Sequence, residues 1–432
     1  NNKISEIKAS FNKSHRGQIA HKKIINCIES TLSMTFKQGQ DLERKSFNEL
    51  LQSNESNNLI HAFFAERKSS KIPYKSKVKP IPIQTIGVVG GGTMGSGITI
   101  SALNSGISVI MVERDAENLK KGRQNIEKFY KRDIEKGRRS ISSVENILAQ
   151  FKTTTDFEGL SNVDMVIEAV FEEMSIKKKV FKLLDKVIKP GGVLASNTSY
   201  LDINEIAATT SRPSDVIGLH FFSPANIMRL IEIVVPKKVS IDIVIKGFQL
   251  AKQMKKIPVR SGVCDGFIGN RILNNYGDCA AFMTEDGATP YEIDKAIFEF
   301  GYPMGPHQMF DLAGGDIGWA TRKRLKDFRN PQIRYVSIAD KLCEKGWFGQ
   351  KTGRGYYRYD LGNARGDEDP EVLALIEEER MKKDISPKKF SQEEIIKRYM
   401  SAMINEAAQV VHEGIALRPS DVDVTKILGY GF

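Results

Sequence analysis

The sequence predicts an α/β fold: a doubly wound, mainly parallel sheet, followed by a duplicated all-helical domain and preceded by a helical extension. Between Thr85 and about Gly262, short β-rich runs alternate with helical stretches, which is typical of βαβ units. Beyond Gly262 the strand patterns vanish and mostly helical periodicity remains. The chain has 432 residues, enough for two or three domains with their own cores.

Residues 1–80 form the predicted helical N-terminal extension. They are polar, and helical periodicity is visible in NCIESTLSMTF and NLIHAFFAERK. The extension ends in a basic linker that contains prolines, KIPYKSKVKPIPIQ. The first residues have no apolar segment, so we expect no signal peptide.

The composition excludes several classes of protein. Hydrophobic residues make up 41% of the chain and charged residues 27%, as in ordinary globular domains. The four cysteines are scattered without a CxxC pair, which favours a reducing compartment and argues against a metal site or disulfides. The net charge of +11 indicates solvated basic helices or polyphosphate ligands, because no nucleic-acid-binding motif accompanies it.

The first strand, TIGVV, leads into a G-x-G-x-x-G turn that opens a helix. In such a turn the first glycine permits the bend, the second lets a pyrophosphate approach, and the third allows close packing of helix on strand. The turn predicts that residues 81–262 form a Rossmann-type NAD-binding domain; the alternative is a glycine turn of another α/β domain. The candidate cofactor residues in the turn are Gly90, Gly92, Thr93, Met94 and Gly95.

The second strand, SVIMVE, ends in Glu113. A carboxylate at this point accepts hydrogen bonds from ribose hydroxyls and repels a 2′-phosphate, which favours NAD over NADP. The neighbouring Arg114 argues weakly in the other direction.

Three more polar motifs follow strands of the same predicted sheet. Glu168–Glu172 follows VDMVI, Ser196–Ser199 follows GVLA, and His220 closes VIGLH. Each motif has a structural alternative: an acid at a helix start, a helix N-cap and a buried core histidine. Because ligands of such sheets bind at the carboxyl ends of the strands, their shared position favours a functional site.

His220 and Glu232 suggest acid–base chemistry. A neutral imidazole suits removal of a hydroxyl proton while hydride leaves carbon, and a carboxylate on its other nitrogen fixes the tautomer. The runs VIGLHFF and LIEIVV, joined by SPANIMR, allow the two residues to face each other on neighbouring strands. Ser199 and Asn270 are candidate donors to an alkoxide.

The helical part contains an internal repeat. The segment that begins at Arg271 aligns with the segment that begins at Arg398, and Gly287 then matches Gly414. Two copies indicate duplication and mutual packing. We therefore predict a first helical C-terminal domain over 263–360 and a second, incomplete helical repeat over 361–432.

Seven motifs together resemble the L-3-hydroxyacyl-CoA dehydrogenase family from Ile86 to Phe432, most closely its peroxisomal multifunctional branch. They are G-x-G-x-M-G, E-A-V-x-E, S-N-T-S, H-F-F-S-P-A-x-x-M-R-L-x-E, G-F-I-x-N-R, G-Y-P-M-G-P and F-G-Q-K-T-G-x-G-Y-Y. The resemblance implies that His220 is the catalytic base, that Glu232 is its paired carboxylate, and that Ser199 and Asn270 surround the reacting oxygen. It also implies further positions lining the cofactor or the reacting groups (Glu172, Lys177 and Asn197) and a CoA-phosphate contact (Lys136).

The resemblance implies NAD-dependent oxidation of (3S)-3-hydroxyacyl-CoA to 3-ketoacyl-CoA in fatty-acid β-oxidation. It also implies a peroxisomal location and fusion to an enoyl-CoA hydratase/isomerase part. The second helical copy resembles a built-in partner, so we expect a monomer. One departure is Ser223, where many monofunctional members have asparagine. The alternatives are a dehydrogenase of a free hydroxy acid and a non-catalytic dinucleotide-binding protein.

Overall fold

The structure is a computed structural model that describes residues 4, 6–8, 18–74, 82–359 and 362–431. It contains two compact units. One consists of the described part of Ala65–Asn275 together with Ala402–Gly431, and the other of the described parts of Asn1–Phe64 and Tyr276–Ser401. Within the described residues, no helix has the length and apolar character needed to cross a membrane.

The first unit is built on one sheet of eight strands. They are β1 (Thr85–Val89), β2 (Ser108–Val112), β3 (Phe151–Thr154), β4 (Met165–Glu168), β5 (Val193–Ser196), β6 (Val216–Phe221), β7 (Leu230–Val234) and β8 (Ile257–Ser261). Their spatial order is β3-β2-β1-β4-β5-β6-β7-β8. Only β6 and β7 pair antiparallel; the other neighbours are parallel. The doubly wound, mainly parallel sheet is thus confirmed.

Helices cover both faces of this sheet, and the central strands are buried on both sides. This burial explains why β1, β4 and β5 have continuous apolar sequences instead of alternating ones. The helices of this region are α4 (Thr93–Leu103), α5 (Ala116–Glu135), α6 (Ile141–Leu148), α7 (Met174–Val187), α8 (Ile203–Ala207) and α9 (Ile241–Gln253).

The second unit is mainly helical, as predicted. The N-terminal extension forms α1 (Ile19–Ser30), α2 (Phe36–Leu51) and α3 (Asn54–Ser69), of which α3 continues into the sheet unit. The centre of the proline-bearing linker, 75–81, lies outside the described residues. The remaining elements are α10 (Gly269–Asp286), α11 (Pro290–Phe300), α12 (Pro306–Ala313), α13 (Gly315–Arg324), α14 (Ile338–Glu344), β9 (Tyr357–Arg358), β10 (Asp367–Glu368), α15 (Pro370–Lys382), α16 (Gln392–His412) and α17 (Pro419–Tyr430).

The internal repeat corresponds to two helix pairs, α10–α11 and α16–α17. In each pair the first helix is followed by a glycine with positive φ, +141° at Gly287 and +71° at Gly414. In each pair the second helix has proline as its first residue, a position where the missing N–H has no cost. The end of α16 and all of α17 belong to the sheet unit.

A buried histidine with a carboxylate partner lies in the helical unit. His307 is 2% exposed, and its Nδ1 lies 2.9 Å from Asp294 Oδ1. Thr284 Oγ1 lies 3.1 Å from His307 Nε2, and Tyr357 donates to Asp294 Oδ2. Both ring nitrogens therefore have protein partners, so His307 serves packing and hydrogen bonding in this core.

Candidate active site

The carboxyl ends of four neighbouring strands bring the sequence-predicted residues to one edge of the sheet. Strand β1 leads to Gly90, β4 ends at Glu168, β5 ends at Ser196, and His220 is the penultimate residue of β6. Ligands of doubly wound sheets bind at this edge. The site residues on these strands thus share one location although they are far apart in sequence.

The glycines of the first turn are required by its geometry. Gly90 has φ of +104°, and a Cβ at this position would lie 2.7 Å from the carbonyl oxygen of Ala169. At Gly95 a Cβ would lie 1.8 Å from the Gly90 carbonyl oxygen, so no other residue fits there. Gly92 is the N-cap of α4, and a Cβ there would meet no described atom within 4 Å. Thr93 is exposed and Met94 half-buried.

Glu113 lies directly beside this turn. Its Oε1 accepts a hydrogen bond from the Gly91 N–H at 2.7 Å, and its Oε2 accepts one from the Arg114 N–H at 3.1 Å. The carboxylate is therefore fixed next to the open backbone at Gly92 and the N-terminus of α4. This arrangement suits a diphosphate on the helix N-terminus and a ribose on the carboxylate.

His220 and Glu232 face each other as a register pair on β6 and β7. The His220 Nδ1 lies 2.6 Å from Glu232 Oε2. Both residues are buried, at 4% and 0% exposure. A neutral imidazole that donates from Nδ1 to a carboxylate has its lone pair on Nε2, which is the form that a general base requires.

The second oxygen of Glu232 is also fixed. Its Oε1 accepts hydrogen bonds from the N–H groups of Ile268 and Gly269, at 3.1 and 3.0 Å, at the start of α10. Such N–H groups have no partner within the helix, and the helix end favours negative charge. The rings of Phe222 and Phe267 pack on His220, with centroids 4.5 and 5.7 Å away. The imidazole is thus held rigid between aromatic rings.

The end of β5 is connected to the same strand pair. Asn197 Oδ1 accepts a hydrogen bond from the Phe221 N–H at 2.9 Å, next to His220. Glu172 Oε1 accepts from the backbone N–H groups of Ser199 and Tyr200, at 2.8 and 3.1 Å, and from the Thr198 hydroxyl. Glu172 and Asn197 therefore fix the loop that carries Ser199.

Lys177 is 1% exposed and lies between two carboxylates. Its Nζ is 2.6 Å from Glu168 Oε1 and 3.3 Å from Glu172 Oε2. Ser196 donates to the other oxygen of Glu168 at 2.6 Å. No role of Glu168 or Ser196 is predicted from the sequence, although Glu168 begins the E-A-V-x-E motif and Ser196 begins the S-N-T-S motif. The contact of Lys177 with the cofactor stays a prediction, since its described partners are Glu168, Glu172 and a backbone carbonyl.

Lys136 is exposed at the C-terminal cap of α5. Beside this helix end, a cavity of about 630 Å³ extends to the loop that joins β6 to β7. Lys136 is not one of the residues that line it. Its wall consists of Phe129, Asp133, Arg138, Arg139, Ser140, Ser143, Asn226 and Ile227. The contact of Lys136 with the CoA phosphates stays a prediction, and the charged residues in the cavity wall are Arg138, Arg139 and Asp133, which pairs with both arginines.

The loop between β6 and β7 is held by a buried lysine that sequence reasoning missed. Lys256 Nζ donates to the carbonyl oxygens of Ala225 and Met228, at 2.6 and 2.7 Å. Burial lowers the pKa of Lys256 to about 8. Lys256 therefore fixes the loop that joins β6 to β7 and lines the cavity.

We expect the free energy of unfolding of the wild type, relative to Lys256→Met, to rise as the pH increases from about 8 to about 10. The native state releases the Lys256 proton in this window while the unfolded chain, with a pKa near 10.5, still holds it, so a higher pH favours the native state. Over this window the gain is about 2 kcal/mol. Urea denaturation of both proteins at the two pH values measures it, and a constant difference would contradict it.

Comparisons with known proteins identify two matched regions. Residues 85–264 match "3-hydroxyacyl-CoA dehydrogenase, NAD binding domain", and residues 266–359 match "3-hydroxyacyl-CoA dehydrogenase, C-terminal domain". The peroxisomal bifunctional enzyme of Danio rerio is 40% identical over 425 residues, which is 94% of this chain and 58% of the relative. The chain spans about three fifths of the length of the curated relatives it matches.

Two solved structures are similar over large parts of the chain. The dehydrogenase part of multifunctional enzyme 1 from C. elegans is 29% identical, with a TM-score of 0.61 and coverage of 86% of both chains. The (S)-3-hydroxybutyryl-CoA dehydrogenase of Ralstonia eutropha is 33% identical, with a TM-score of 0.60. The match covers 99% of the Ralstonia eutropha chain and 64% of this chain.

Proposed function

Because this chain belongs to the 3-hydroxyacyl-CoA dehydrogenase family, we propose that it oxidises (3S)-3-hydroxyacyl-CoA to 3-ketoacyl-CoA with NAD. The observation that carries the proposal is the His220–Glu232 pair, 2.6 Å apart, at the sheet edge that also bears the glycine turn. The family's NAD-binding domain spans residues 85–264. The open backbone at Gly92 and the fixed carboxylate of Glu113 suit a dinucleotide.

When bound, NAD supplies the acceptor for the hydride that leaves the substrate carbon. His220 Nε2 takes the hydroxyl proton, and Glu232 stabilises the imidazolium that forms. In the reverse direction His220 returns the proton to the developing alkoxide. Ser199 and the Asn270 amide donate to that oxygen, which lowers the energy of the charged transition state.

The substrate's CoA group suits the cavity beside α5, in which two arginines outnumber the one carboxylate, Asp133. Arg138 and Arg139 line that cavity, with the hydroxyls of Ser140 and Ser143. Guanidinium groups bind phosphates with paired hydrogen bonds. The cavity also borders the β6–β7 loop, so a molecule bound there lies beside the loop that connects His220 to Glu232.

In the longer protein, the chain acts as the dehydrogenase part of a peroxisomal multifunctional enzyme of fatty-acid β-oxidation, fused to an enoyl-CoA hydratase/isomerase part. The relatives named peroxisomal bifunctional enzyme support this. Helices α1 and α2 expose large apolar side chains, among them Ile28, Phe36 and Phe47, which suit a covering domain. The duplicated helix pairs suit a monomer.

The test is NADH oxidation with acetoacetyl-CoA, with acetoacetate and NADPH as comparisons. We expect turnover with NADH and acetoacetyl-CoA, and at least about 100-fold lower kcat/KM with acetoacetate, because binding of the CoA group assists the reaction. Equal kcat/KM for the two substrates would indicate a dehydrogenase of free hydroxy acids. Binding of NADH without turnover would indicate a non-catalytic protein.

A further inference from the structure

The last helix, α17, packs on strands β7 and β8 within the sheet unit. Its approach is close at Gly429, where a Cβ would lie 2.8 Å from Leu230 Cδ2 and 3.1 Å from the Phe222 ring. A residue with a side chain would push the helix away from the sheet. The glycine therefore allows the next residue, Tyr430, to reach the site.

Tyr430 contacts two residues of the site. Its hydroxyl donates to Asn270 Oδ1 at 2.7 Å. Its ring packs edge-on against Phe222, with centroids 5.6 Å apart, and Phe222 packs on the His220 imidazole. A Cβ at Gly269 would lie only 2.6 Å from the Tyr430 hydroxyl oxygen. The α10 backbone is therefore shaped to admit this hydroxyl.

A buried lysine fixes the face of the Tyr430 ring. Lys426, one helical turn earlier, is 3% exposed, and its Nζ lies 3.7 Å from the ring centroid. Burial lowers the pKa of Lys426 well below its ordinary value, and the negative charge of Glu232 opposes this shift. The Lys426 side chain thus packs on the face of the ring and Phe222 packs at its edge.

We propose that Tyr430 is a positioning residue for the dehydrogenase reaction, which orients the Asn270 amide so that its Nδ2–H₂ group points at the reacting oxygen. The inference rests on the proposed function. The amide oxygen and nitrogen are opposite branches of one planar group, and Oδ1 is the branch that accepts from the Tyr430 hydroxyl, so the two N–H donors lie on the branch that points away from it. If the amide turned over, it would present lone pairs to a developing alkoxide and lose its stabilising effect.

Tyr430→Phe removes the hydroxyl and keeps the ring. We expect kcat for acetoacetyl-CoA reduction to fall about tenfold, with KM for acetoacetyl-CoA and Kd for NADH within about twofold of wild type. In an Asn270→Ala background, the same substitution should change kcat by less than about twofold, because there is no amide left to orient. A purely structural role of the hydroxyl would lower kcat equally in both backgrounds.

Tyr130→Phe is a matched control, because the Tyr130 hydroxyl also donates to an asparagine, Asn104 Oδ1, at 3.1 Å. Its kcat should equal the wild-type value.

The positioning role is overturned if Tyr430→Phe has wild-type kcat, or if the loss of kcat persists unchanged without the Asn270 amide. Wild type that binds NADH but does not turn over acetoacetyl-CoA would refute the proposed function, and the positioning role with it. Normal wild-type turnover with an unaffected variant would refute the positioning role alone.

Discussion

Replacement of His220 by glutamine is expected to lower kcat for acetoacetyl-CoA reduction about 10³- to 10⁴-fold, because the only group on β6 that can exchange the proton is lost. The Kd for NADH should change by less than about threefold, since the glycine turn and Glu113 do not contact the imidazole. Stopped-flow absorbance of NADH gives the rate, and fluorescence titration gives the Kd. A glutamine fits this site because its amide can still donate to Glu232.

The matched control for this substitution is His307→Gln. His307 is also a buried histidine paired with a carboxylate, Asp294, but it lies in the helical unit and both of its ring nitrogens have protein partners. We expect a lower melting temperature and a kcat within about threefold of wild type. Equal losses of kcat in the two variants would show that the His220 effect is a folding defect.

Glu232→Gln should lower kcat about 10²- to 10⁴-fold with little change in KM. The amide oxygen can continue to accept from the Ile268 and Gly269 N–H groups, which leaves its NH₂ group facing His220 Nδ1. The imidazole then has to accept at Nδ1 and carry its proton on Nε2, which is the wrong tautomer for a base. Steady-state kinetics separate the two constants, and a raised KM with unchanged kcat would contradict a role in the proton transfer.

The site could be predicted from the sequence to the extent that each residue stands at the end of a recognisable strand. His220 and Glu232 are separated by a short loop, so the two apolar runs that contain them already imply an antiparallel pair. The register that places them opposite each other is set by β6 and β7. The glycine turn was predictable for a similar reason, because its three glycines and the following helix are contiguous.

The supporting groups were not predictable, because they come from distant parts of the chain. Lys256 reaches the β6–β7 loop from the start of β8, and Tyr430 reaches Asn270 across 160 positions. Neither belongs to one of the seven motifs, although Tyr430 matches Tyr302 in the internal repeat, and a lysine or tyrosine in a helical or strand pattern usually indicates a surface or core position. Arg138 and Arg139, which line the cavity, lie in a basic segment of the sequence. No pattern in that segment distinguishes one cationic side chain from another.

Two edge elements of the sheet were also missed. Strand β3 (FKTT) lies at the outer edge and strand β8 (IPVRS) at the opposite one. Both contain polar residues and β8 contains proline, so neither gives the continuous apolar pattern of the central strands. The two-residue strands β9 and β10 are too short to produce any alternation.

The most direct test of the account is a double-mutant cycle on His220 and Glu232, measured as single-turnover oxidation of NADH by acetoacetyl-CoA. If the two side chains act as one acid–base unit, the double variant His220→Gln/Glu232→Gln should react within about threefold of His220→Gln alone. Losses that multiply, so that the double variant is slower by the product of the single effects, would show that Glu232 acts independently of His220 and would contradict the account.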